Sequence, residues 1–334
     1  MIKKGLYILC AGLLLVACEA ENINMHSPRE NFESLWKIID EHYCFFEYKQ
    51  IDWTEVYGRY AGRIDESMDE YALFDVLGEM LSELQDGHTN LISPFQVSRY
   101  WAWYEQYPAN FSAELLSSYL GKSTEYHQTG GVKYRTLAKG KVGYIYYGSF
   151  ASGVSDSEID AIFDLFKECR GLIIDIRDNG GGALSNSDRI ASRFPEEKTL
   201  VGYMQHKTGK AHNDFSDPYP VYLTPSDRTR WARPVIVLTN HRCYSAANNF
   251  VQKMRMLPQV TIMGDQTGGG SGFPFHSELP NGWSIRFSSS PMLDENKQHT
   301  EFGIEPDIRI DITAEDYATG KDTLIEAAIR YLQQ

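Results

Sequence analysis

Beyond residue 141 the sequence alternates strand-forming apolar runs with amphipathic helical stretches, and this alternation limits the possible folds more than any other feature. The predicted strands are KVGYIYYGSF, GLIIDIRDNGGG, KTLVGYM, PVIVLTN and QVTIMGD. The predicted helices between them are SDSEIDAIFDLFKEC, SNSDRIASRF and SAANNFVQKMRM. Strands that alternate with helices predict an α/β (α+β) fold, with a largely parallel buried sheet over residues 141–334.

Residues 29–92 have a different pattern and predict a small helical domain. Its first helix is indicated by apolar residues at helical spacing, which are Phe32, Leu35, Trp36 and Ile39. Ser67 and Glu70 have the spacing of a capping box that begins a later helix, and Gly87 predicts where that helix ends. Residues 93–140 connect this domain to the sheet domain and are rich in aromatic side chains, which predict either irregular packing or a substrate-facing surface.

The first 17 residues have the three parts of a secretory signal, which are two lysines, an apolar stretch and small residues before Cys18. The apolar stretch is too short to span a bilayer as a helix. The ending LVAC resembles a bacterial lipobox. This implies that Cys18 carries acyl chains, that residues 18–28 form a linker, and that lipid anchors the protein in the cell envelope, at the outer membrane or facing the periplasm. A plain signal peptide, cleaved nearby to release a soluble secreted protein, is the alternative.

Charge and cysteine content exclude several partners. The net charge of −13 argues against nucleic acid, because binding to phosphate needs clustered lysine and arginine. Beyond Cys18 only Cys44, Cys169 and Cys243 remain, and their positions match neither a metal-ligand pattern nor a disulfide framework. We therefore expect no metal and no cofactor, and one disulfide among the three stays open.

Ser245 lies where the predicted strand PVIVLTN gives way to the predicted helix SAANNF. Two interpretations are open. Serine is among the preferred N-cap residues of helices. Alternatively, a hydroxyl near the positive end of the helix dipole, beside outward-pointing N–H groups, suits a nucleophile for acyl transfer. The surrounding residues do not match G-x-S-x-G, so an α/β-hydrolase elbow is not supported.

A serine nucleophile needs a base within hydrogen-bond reach. Lys253 is eight residues further along the same helix, about 12 Å away by helical rise, and is too distant. His88, in the turn LQDGHTN, is the other candidate, and a partner for a helix dipole is its alternative role. The segments DNGGG and GDQTGGGSG allow backbone N–H groups to face a ligand, but neither matches a phosphate-binding pattern.

Six segments occur in a characteristic order, which is LQDGHTNL, VGYIYYGSF, LIIDIRDNGGG, VLTNHRCYSAANNF, MGDQTGGGSG and FGIEPDI. Together they resemble the tail-specific (C-terminal processing) and tricorn-core family of serine peptidases, from about residue 30 to the C-terminus. The resemblance implies a Clp-protease/crotonase-like catalytic core with an N-terminal helical cap domain, a polypeptide substrate, and Ser245 as the nucleophile.

Three departures from the family pattern refine this resemblance. Gly270 stands where the processing proteases have their lysine base, so the likeness to the tricorn core implies His88 as the base instead. Some tricorn-like members have a serine beside that histidine, where this chain has Gly87. The stretch of about fifty residues between His88 and residue 141 is too short for the peptide-binding PDZ module that many processing proteases carry.

The histidine base of such an enzyme needs a carboxylate that fixes its tautomer and stabilises the imidazolium. The resemblance favours Glu301, just before the Gly–Ile–x–Pro–Asp segment, as the partner of His88. Asp86, on the same turn as His88, and Glu305 are alternatives.

The oxyanion hole is expected from the amide of Ala246 and that of Gly181 or Gly182. The resulting prediction is a serine endopeptidase that cleaves extended or unfolded polypeptides through an acyl-enzyme. Activity should then rise with an apparent pKa of ~6.5, the ordinary value of histidine. Two alternatives remain, which are a catalytically inactive polypeptide- or ligand-binding protein on the same fold and a carboxylic ester hydrolase.

Overall fold

The computed structural model describes residues 27–334. The predicted signal peptide, the predicted lipidation site Cys18 and all but the end of the predicted linker lie outside the described residues. Within the described part, no helix combines the length and the apolar character needed to cross a membrane.

The helices and strands follow the alternation expected beyond residue 141. The helices are α1 (Pro28–His42), α2 (Phe46–Lys49), α3 (Trp53–Ala61), α4 (Glu70–Ser82), α5 (Ala102–Glu105), α6 (Ala113–Leu120), α7 (Asp156–Leu165), α8 (Leu184–Ala191), α9 (Ala246–Met254), α10 (Ala314–Ala318) and α11 (Thr323–Leu332). The strands are β1 (Asn90–Ile92), β2 (Val97–Arg99), β3 (His127–Thr129), β4 (Val132–Leu137), β5 (Val142–Tyr146), β6 (Gly171–Asp175), β7 (Thr199–Met204), β8 (Tyr219–Leu223), β9 (Val235–Thr239), β10 (Val260–Gly264), β11 (Gly272–Glu278), β12 (Ser284–Leu293) and β13 (Ile308–Arg309).

The larger sheet has seven strands in the order β13-β10-β9-β6-β5-β4-β3. The strands from β13 to β5 are parallel to one another. Strand β4 pairs antiparallel with β5, and β3 pairs antiparallel with β4. Successive side chains of β6 point to opposite faces: Leu172 and Ile174 pack with α7, α8 and α9, and Ile173 packs with α6 and α11. Helices on both faces explain why these strands are continuous apolar runs. The predicted α/β (α+β) fold is confirmed.

The second sheet is antiparallel, in the order β2-β1-β12-β7-β8, with β11 paired to β12. The N-terminal helices α1 to α4 pack on this sheet, and their side chains share one buried core with Ile285 and Phe287 of β12. The predicted N-terminal helical region is therefore present, and its core is completed by a strand from the C-terminal half of the chain.

The sheets change two predicted boundaries and one predicted strand. Residues 90–92, placed in the helical domain, form β1 of the antiparallel sheet, and the large sheet begins at His127 instead of residue 141. The segment KTLVGYM forms β7, which is only half-buried and belongs to the antiparallel sheet, not to the parallel one. Strand propensity cannot assign a strand to a sheet, because the pairing partners are distant in sequence.

The details of helix α4 differ from the sequence-based prediction. Its N-cap is Asp69, whose carboxylate accepts a hydrogen bond from the Ala72 amide at 2.8 Å. The predicted capping box of Ser67 and Glu70 is therefore wrong, because Asp69 is an equally good cap two residues later. The helix ends at Ser82 and the left-handed residue beyond it is Gln85, with φ 47°, so Gly87 is not the helix stop.

Candidate active site

Ser245 lies between the end of β9 and the first residue of α9, and its backbone conformation is one that L-residues rarely adopt. Its φ is 58° and its ψ is −118°. A helix N-cap has an extended backbone and a side chain that accepts a hydrogen bond from the helix, and the Ser245 hydroxyl accepts none. The helix-cap interpretation of Ser245 is therefore wrong. Backbone strain of this kind costs about 1–3 kcal/mol and is concentrated at functional sites.

The two glycine-rich segments hold the Ser245 turn. The N–H of Ser245 donates to the carbonyl of Gly269 at 2.8 Å, and the N–H of Tyr244 donates to the carbonyl of Asn179 at 3.1 Å. Gly181 fits against the turn only because it has no side chain, since a Cβ there would lie 2.9 Å from the Cβ of Ser245. Both segments that the sequence marked for close backbone approach thus meet at this serine.

The amides around Ser245 differ in whether they are free to bind an oxyanion. The amide of Gly181 donates to Oδ1 of Asn179 at 2.9 Å. The amides of Gly182 and Ala246 donate to no acceptor within residues 27–334. A Cβ on Gly181 would lie 2.9 Å from the Ala246 nitrogen, so the glycine loop runs directly beside that amide. The geometry favours Gly182 over Gly181 as the partner of Ala246, and the oxyanion hole stays a prediction.

His88 lies in the turn between α4 and β1 and is buried, with 3% of its surface exposed. Its ring packs against that of Tyr244, the residue before Ser245, with ring centroids 5.0 Å apart. Neither ring nitrogen has a hydrogen-bond partner among the described residues, so the ring is not hydrogen-bonded to the Ser245 hydroxyl. The fold thus brings His88 against the neighbour of Ser245 without forming a hydrogen bond between the two side chains.

Burial lowers the pKa of His88 to about 4, because it removes water from the charged form. The Asp86 carboxylate and the Gly272 backbone oppose this shift in pKa, and the positive charges of Arg286 and Lys49 add to it. His88 is therefore neutral across the physiological pH range, which is the state that a general base requires.

The predicted carboxylate partners of His88 are engaged elsewhere. Glu301 is buried, lies 3.0 Å from the Lys49 ammonium and accepts the Ser271 amide at 2.8 Å. Glu305 is exposed and lies 3.4 Å from Arg309. Because the His88 ring nitrogens have no partner among the described residues, the predicted Glu301–His88 hydrogen bond is wrong for this structure, and Glu305 does not replace it.

Asp86 is the carboxylate that fixes the turn containing His88, and it does so by binding the backbone N–H of His88 and not its imidazole ring. Its Oδ1 accepts the backbone N–H of His88 at 2.8 Å, and its Oδ2 accepts the Tyr43 hydroxyl at 3.1 Å. The Tyr244 hydroxyl lies 3.5 Å from the same carboxylate. Asp86 therefore fixes the position of His88 relative to Tyr244 and leaves the imidazole free.

Lys49, at the end of α2, is a central residue of this site that the sequence did not reveal. Its side chain is buried, and its ammonium donates to the carbonyls of Leu84 and Gln85 at 3.2 and 3.1 Å as well as pairing with Glu301. It thus joins the end of α4, which leads into His88, to the catalytic core. The only sequence signal was a lysine that directly follows the aromatic run YCFFEY, which is weak evidence for burial.

The Lys49 cluster contains one cation and two carboxylates away from water. Burial raises the pKa of Glu301 to about 7, against the opposing effect of the Lys49 ammonium. Burial would also raise the pKa of Asp86, but the Lys49 ammonium and the hydrogen bond from the His88 amide outweigh burial and lower that pKa. Asp86 therefore stays ionised at neutral pH, and Glu301 is the carboxylate of this cluster that takes up a proton as the pH falls through about 7.

A lysine at position 270, where the processing proteases have their base, would have no room in this structure. The φ of Gly270 is 74°, and a Cβ there would lie 2.4 Å from the ring of Tyr244. Tyr244 therefore occupies the space that a side chain at position 270 would need. Lys253, on α9, forms an ion pair with Asp188. The identity of the base that serves Ser245 stays a prediction.

A cavity of about 340 Å³ opens beside Ser245. Its walls include the backbone of Gly182 and Ala246 and the apolar side chains of Leu184 and Met292. Arg286 is the one charged residue in its lining. The cavity can take a mainly apolar segment of a ligand next to the serine hydroxyl and the two free amides.

Other polar residues singled out by the sequence are structural. Asp175 and Arg177 are fully buried and form an ion pair, and Arg177 also binds the Asp322 carboxylate that caps α11.

Cys44, Cys169 and Cys243 are free and buried, with no disulfide among them. Within residues 27–334 no group of three or more His, Cys, Asp or Glu side chains could hold a metal ion.

Two sequence models match this chain. The model of peptidase family S41 matches residues 141–310, about half of the chain, and that of the tricorn protease C1 domain matches residues 26–82. The chain belongs to peptidase family S41. Membership places it among the serine-type peptidases. The S41 match contains Ser245 and Glu301, whereas His88 lies between the two matched ranges.

Individual relatives agree with the S41 assignment. A solved chain from Parabacteroides merdae, itself a candidate peptidase, is 62% identical, with a TM-score of 0.88 over 92% of this chain and 98% of that one. The tricorn protease of Thermoplasma acidophilum is 28% identical over 58% of this chain and 17% of its own length. The chloroplastic C-terminal processing peptidase of Tetradesmus obliquus is 24% identical over 52% of this chain and 36% of its own. The chain thus spans less than half the length of these two curated relatives.

Proposed function

We propose that this S41 chain is an endopeptidase in which Ser245 is the nucleophile and His88 the general base. The observation that carries the proposal is the strained backbone of Ser245. The serine heads a helix with φ 58° and does not cap it, so its hydroxyl stays free at the wall of the cavity. A side chain held in that way, beside the free amides of Gly182 and Ala246, suits attack on a carbonyl carbon.

The reaction follows from these positions. The Ser245 oxygen attacks the amide carbon while His88 takes the hydroxyl proton, and the carbonyl oxygen becomes an oxyanion facing the amides of Gly182 and Ala246. The C–N bond then breaks, His88 gives its proton to the leaving amine, and water hydrolyses the acyl-enzyme. Neither ring nitrogen of His88 has a hydrogen-bond partner of good geometry among residues 27–334, so both are available to the Ser245 hydroxyl. Catalytic hydrogen bonds of this kind often tighten only when substrate is bound.

The substrate that fits this site is an extended polypeptide. Strand β11 contributes Gly272, Phe273 and Pro274 to the cavity, and within the described residues it pairs only with β12. Its other edge therefore offers backbone groups to which an extended chain can add as a strand. A folded globule has no free strand to place there, so we propose cleavage of unfolded or extended segments.

A serine-directed fluorophosphonate probe tests the proposal. The unsubstituted protein should be labelled at Ser245 and should cleave casein, whereas Ser245→Ala should do neither. An unlabelled protein with bound polypeptide would support the inactive binding protein instead. Turnover of esters with intact casein would support the ester hydrolase.

The pH dependence of kcat/KM should reflect His88. Its pKa of about 4 is below the ~6.5 expected from the sequence, because the ring is buried. Protonation removes the base, so activity should fall only as the pH drops toward 4 and should be constant from about pH 6 to 8. The measurement is kcat/KM for a neutral peptide from about pH 3.5 to about pH 9, a range that includes the expected fall near the pKa of His88 and the rise that a lysine base would give. Circular dichroism over the same range excludes unfolding. Activity that rises only above pH 8 would indicate a lysine base and contradict the assignment.

We also propose that the mature protein is a lipoprotein of the cell envelope, anchored through Cys18. The support is the sequence LVAC that follows the apolar stretch of the signal. Mass spectrometry of the protein from membranes should find acyl chains on an N-terminal Cys18, and Cys18→Ala should leave the protein without them. An unmodified N-terminus at another residue would contradict lipid anchoring.

A further inference from the structure

Arg286 is the one charged residue that lines the cavity beside Ser245, and it has no partner. Among residues 27–334 its guanidinium forms no ion pair, hydrogen bond or cation–π contact, and the residue is only partly exposed. The guanidinium has five N–H donors and stays charged at all physiological pH values. Other partly or fully buried arginines of the chain, such as Arg177 and Arg193, are paired with carboxylates. An unpaired arginine next to the nucleophile therefore needs an explanation.

The antiparallel sheet places a second arginine, Arg99, two strands away from Arg286. Asn90 of β1 pairs with Arg286 of β12 on one side and with Arg99 of β2 on the other, so the two arginines belong to one row across three strands. Residues paired across antiparallel strands project from the same face. Arg99 also has no ion pair in the described part of the chain, and His276 of β11 extends the row on the far side of Arg286.

The surroundings of Arg286 do not neutralise it. Its pKa is lowered, first by burial and also by the charge of Arg99, while Asp86 and Tyr244 oppose the shift in pKa. Asp86 is held by the Tyr43 hydroxyl and the His88 amide, and it does not come within ion-pair distance of Arg286. Arg99 is exposed and lies over the Trp101 ring, so the partly buried Arg286 is the arginine that needs an anion from outside the described residues.

We propose that Arg286 binds a carboxylate of the substrate close to the scissile bond and so selects for substrates that carry one there. The proposal rests on the proposed function, since it takes the Ser245 cavity to be the peptide site. A guanidinium binds a carboxylate through two parallel hydrogen bonds, and Arg99 adds attraction at longer range. The carboxylate is either the C-terminal group of the polypeptide or an aspartate or glutamate side chain, and these two sources can be distinguished.

Peptide binding to the Ser245→Ala protein tests this independently of catalysis. Three fluorescent peptides of one neutral sequence are compared by anisotropy: one with a free C-terminal carboxylate, one amidated with a single glutamate, and one amidated with glutamine instead. We expect at least one carboxylate peptide to bind about 10- to 100-fold more tightly than the neutral one, the range of a charged hydrogen bond. The peptide that gains affinity identifies the source of the carboxylate.

Substitutions in the same Ser245→Ala protein connect the preference to Arg286. Arg286→Gln should abolish the preference, and Arg286→Lys should restore only part of it, because lysine keeps the charge without the bidentate geometry. Arg255→Gln is the matched control, since Arg255 is exposed at the far end of α9 and should keep the full preference. The absence of any preference, whether the peptides bind equally or not at all, overturns the proposal, as does a preference that survives in Arg286→Gln.

Kinetics of the active protein separate this role from direct catalysis. Arg286→Gln should raise KM for the carboxylate peptide about 10- to 100-fold more than for the neutral peptide. An equal loss of kcat for both peptides would mean that Arg286 acts on the reacting carbonyl, and would overturn the carboxylate role. Failure of the proposed peptidase function is recognised separately, by the absence of probe labelling and casein cleavage in the unsubstituted protein.

Discussion

Ser245→Ala should lower kcat/KM for peptide cleavage by a factor on the order of 10⁴ or more, while the free energy of unfolding changes by less than about 0.5 kcal/mol. Activity is lost because the attacking oxygen is removed. Stability is kept because the Ser245 hydroxyl makes no hydrogen bond within residues 27–334 and alanine retains the same backbone strain. Peptide turnover and urea denaturation of the same two protein preparations measure both effects.

Ser155→Ala is the matched control for the Ser245 result. Ser155 caps α7 in a capping box with Glu158, so its loss should lower the free energy of unfolding by about 1 kcal/mol and leave peptide cleavage intact. Ser245→Ala should therefore reduce activity and leave stability unchanged, whereas Ser155→Ala should reduce stability and leave activity unchanged. If Ser245→Ala instead lost about 1 kcal/mol of stability and kept its activity, Ser245 would be a helix cap and the mechanism would be wrong.

Lys49→Met should lower the free energy of unfolding by about 3–5 kcal/mol and greatly reduce activity. The Lys49 side chain is 4% exposed and lies 3.0 Å from Glu301 and 3.9 Å from Asp86. Methionine fills the same volume but leaves the buried carboxylates without a cation. It also removes the link from the end of α4 to the core, so the turn that bears His88 loses its support. Urea denaturation and peptide cleavage measure the two effects.

The same substitution at an exposed ion pair is the control. Lys210 lies 2.9 Å from Glu41, but its side chain is 75% exposed, so Lys210→Met should change stability by about 1 kcal/mol or less. Adding Glu301→Gln to Lys49→Met should recover part of the loss when stability is measured above pH 7, where the buried Glu301 carboxylate would otherwise be ionised without a cation beside it. Equal losses in Lys49→Met and Lys210→Met would show that the buried cluster is not stabilised by its charges.

The sequence predicted those parts of the site that depend on local order along the chain. The apolar runs before Asp175 and Asn240 form parallel strands β6 and β9, and the helix predicted at Ser245 begins at the next residue. Ser245 and His88 were selected from motifs in sequence order, and the fold brings the His88 ring against Tyr244. Both glycine-rich segments also lie beside Ser245, as the need for close backbone approach suggested.

The parts that failed depend on partners distant in sequence. Glu301 was assigned to His88, but Lys49, more than 250 residues away from Glu301 along the chain, takes its carboxylate. The sequence could supply only the ordinary pKa of histidine, ~6.5, whereas burial by the surrounding core lowers the pKa of His88 to about 4, so the fold gives a different prediction for the pH dependence of activity. Strand β7 was assigned to the parallel sheet because its residues favour a strand, and its pairing with β8 and β12 could not be known.

By itself the sequence determined the α/β order, the candidate nucleophile and the candidate base, because periodicity, turn residues and motif spacing are local properties of the chain. Only the tertiary structure decided that Ser245 is strained instead of capping, that Lys49 takes Glu301, and that Arg286 stands unpaired in the cavity. These facts depend on backbone dihedral angles, burial and the distances between side chains from remote segments. The sequence determines which ionisable groups the protein has. The fold determines their neighbours and their access to water, and these two factors set the charge and the chemical role of each group.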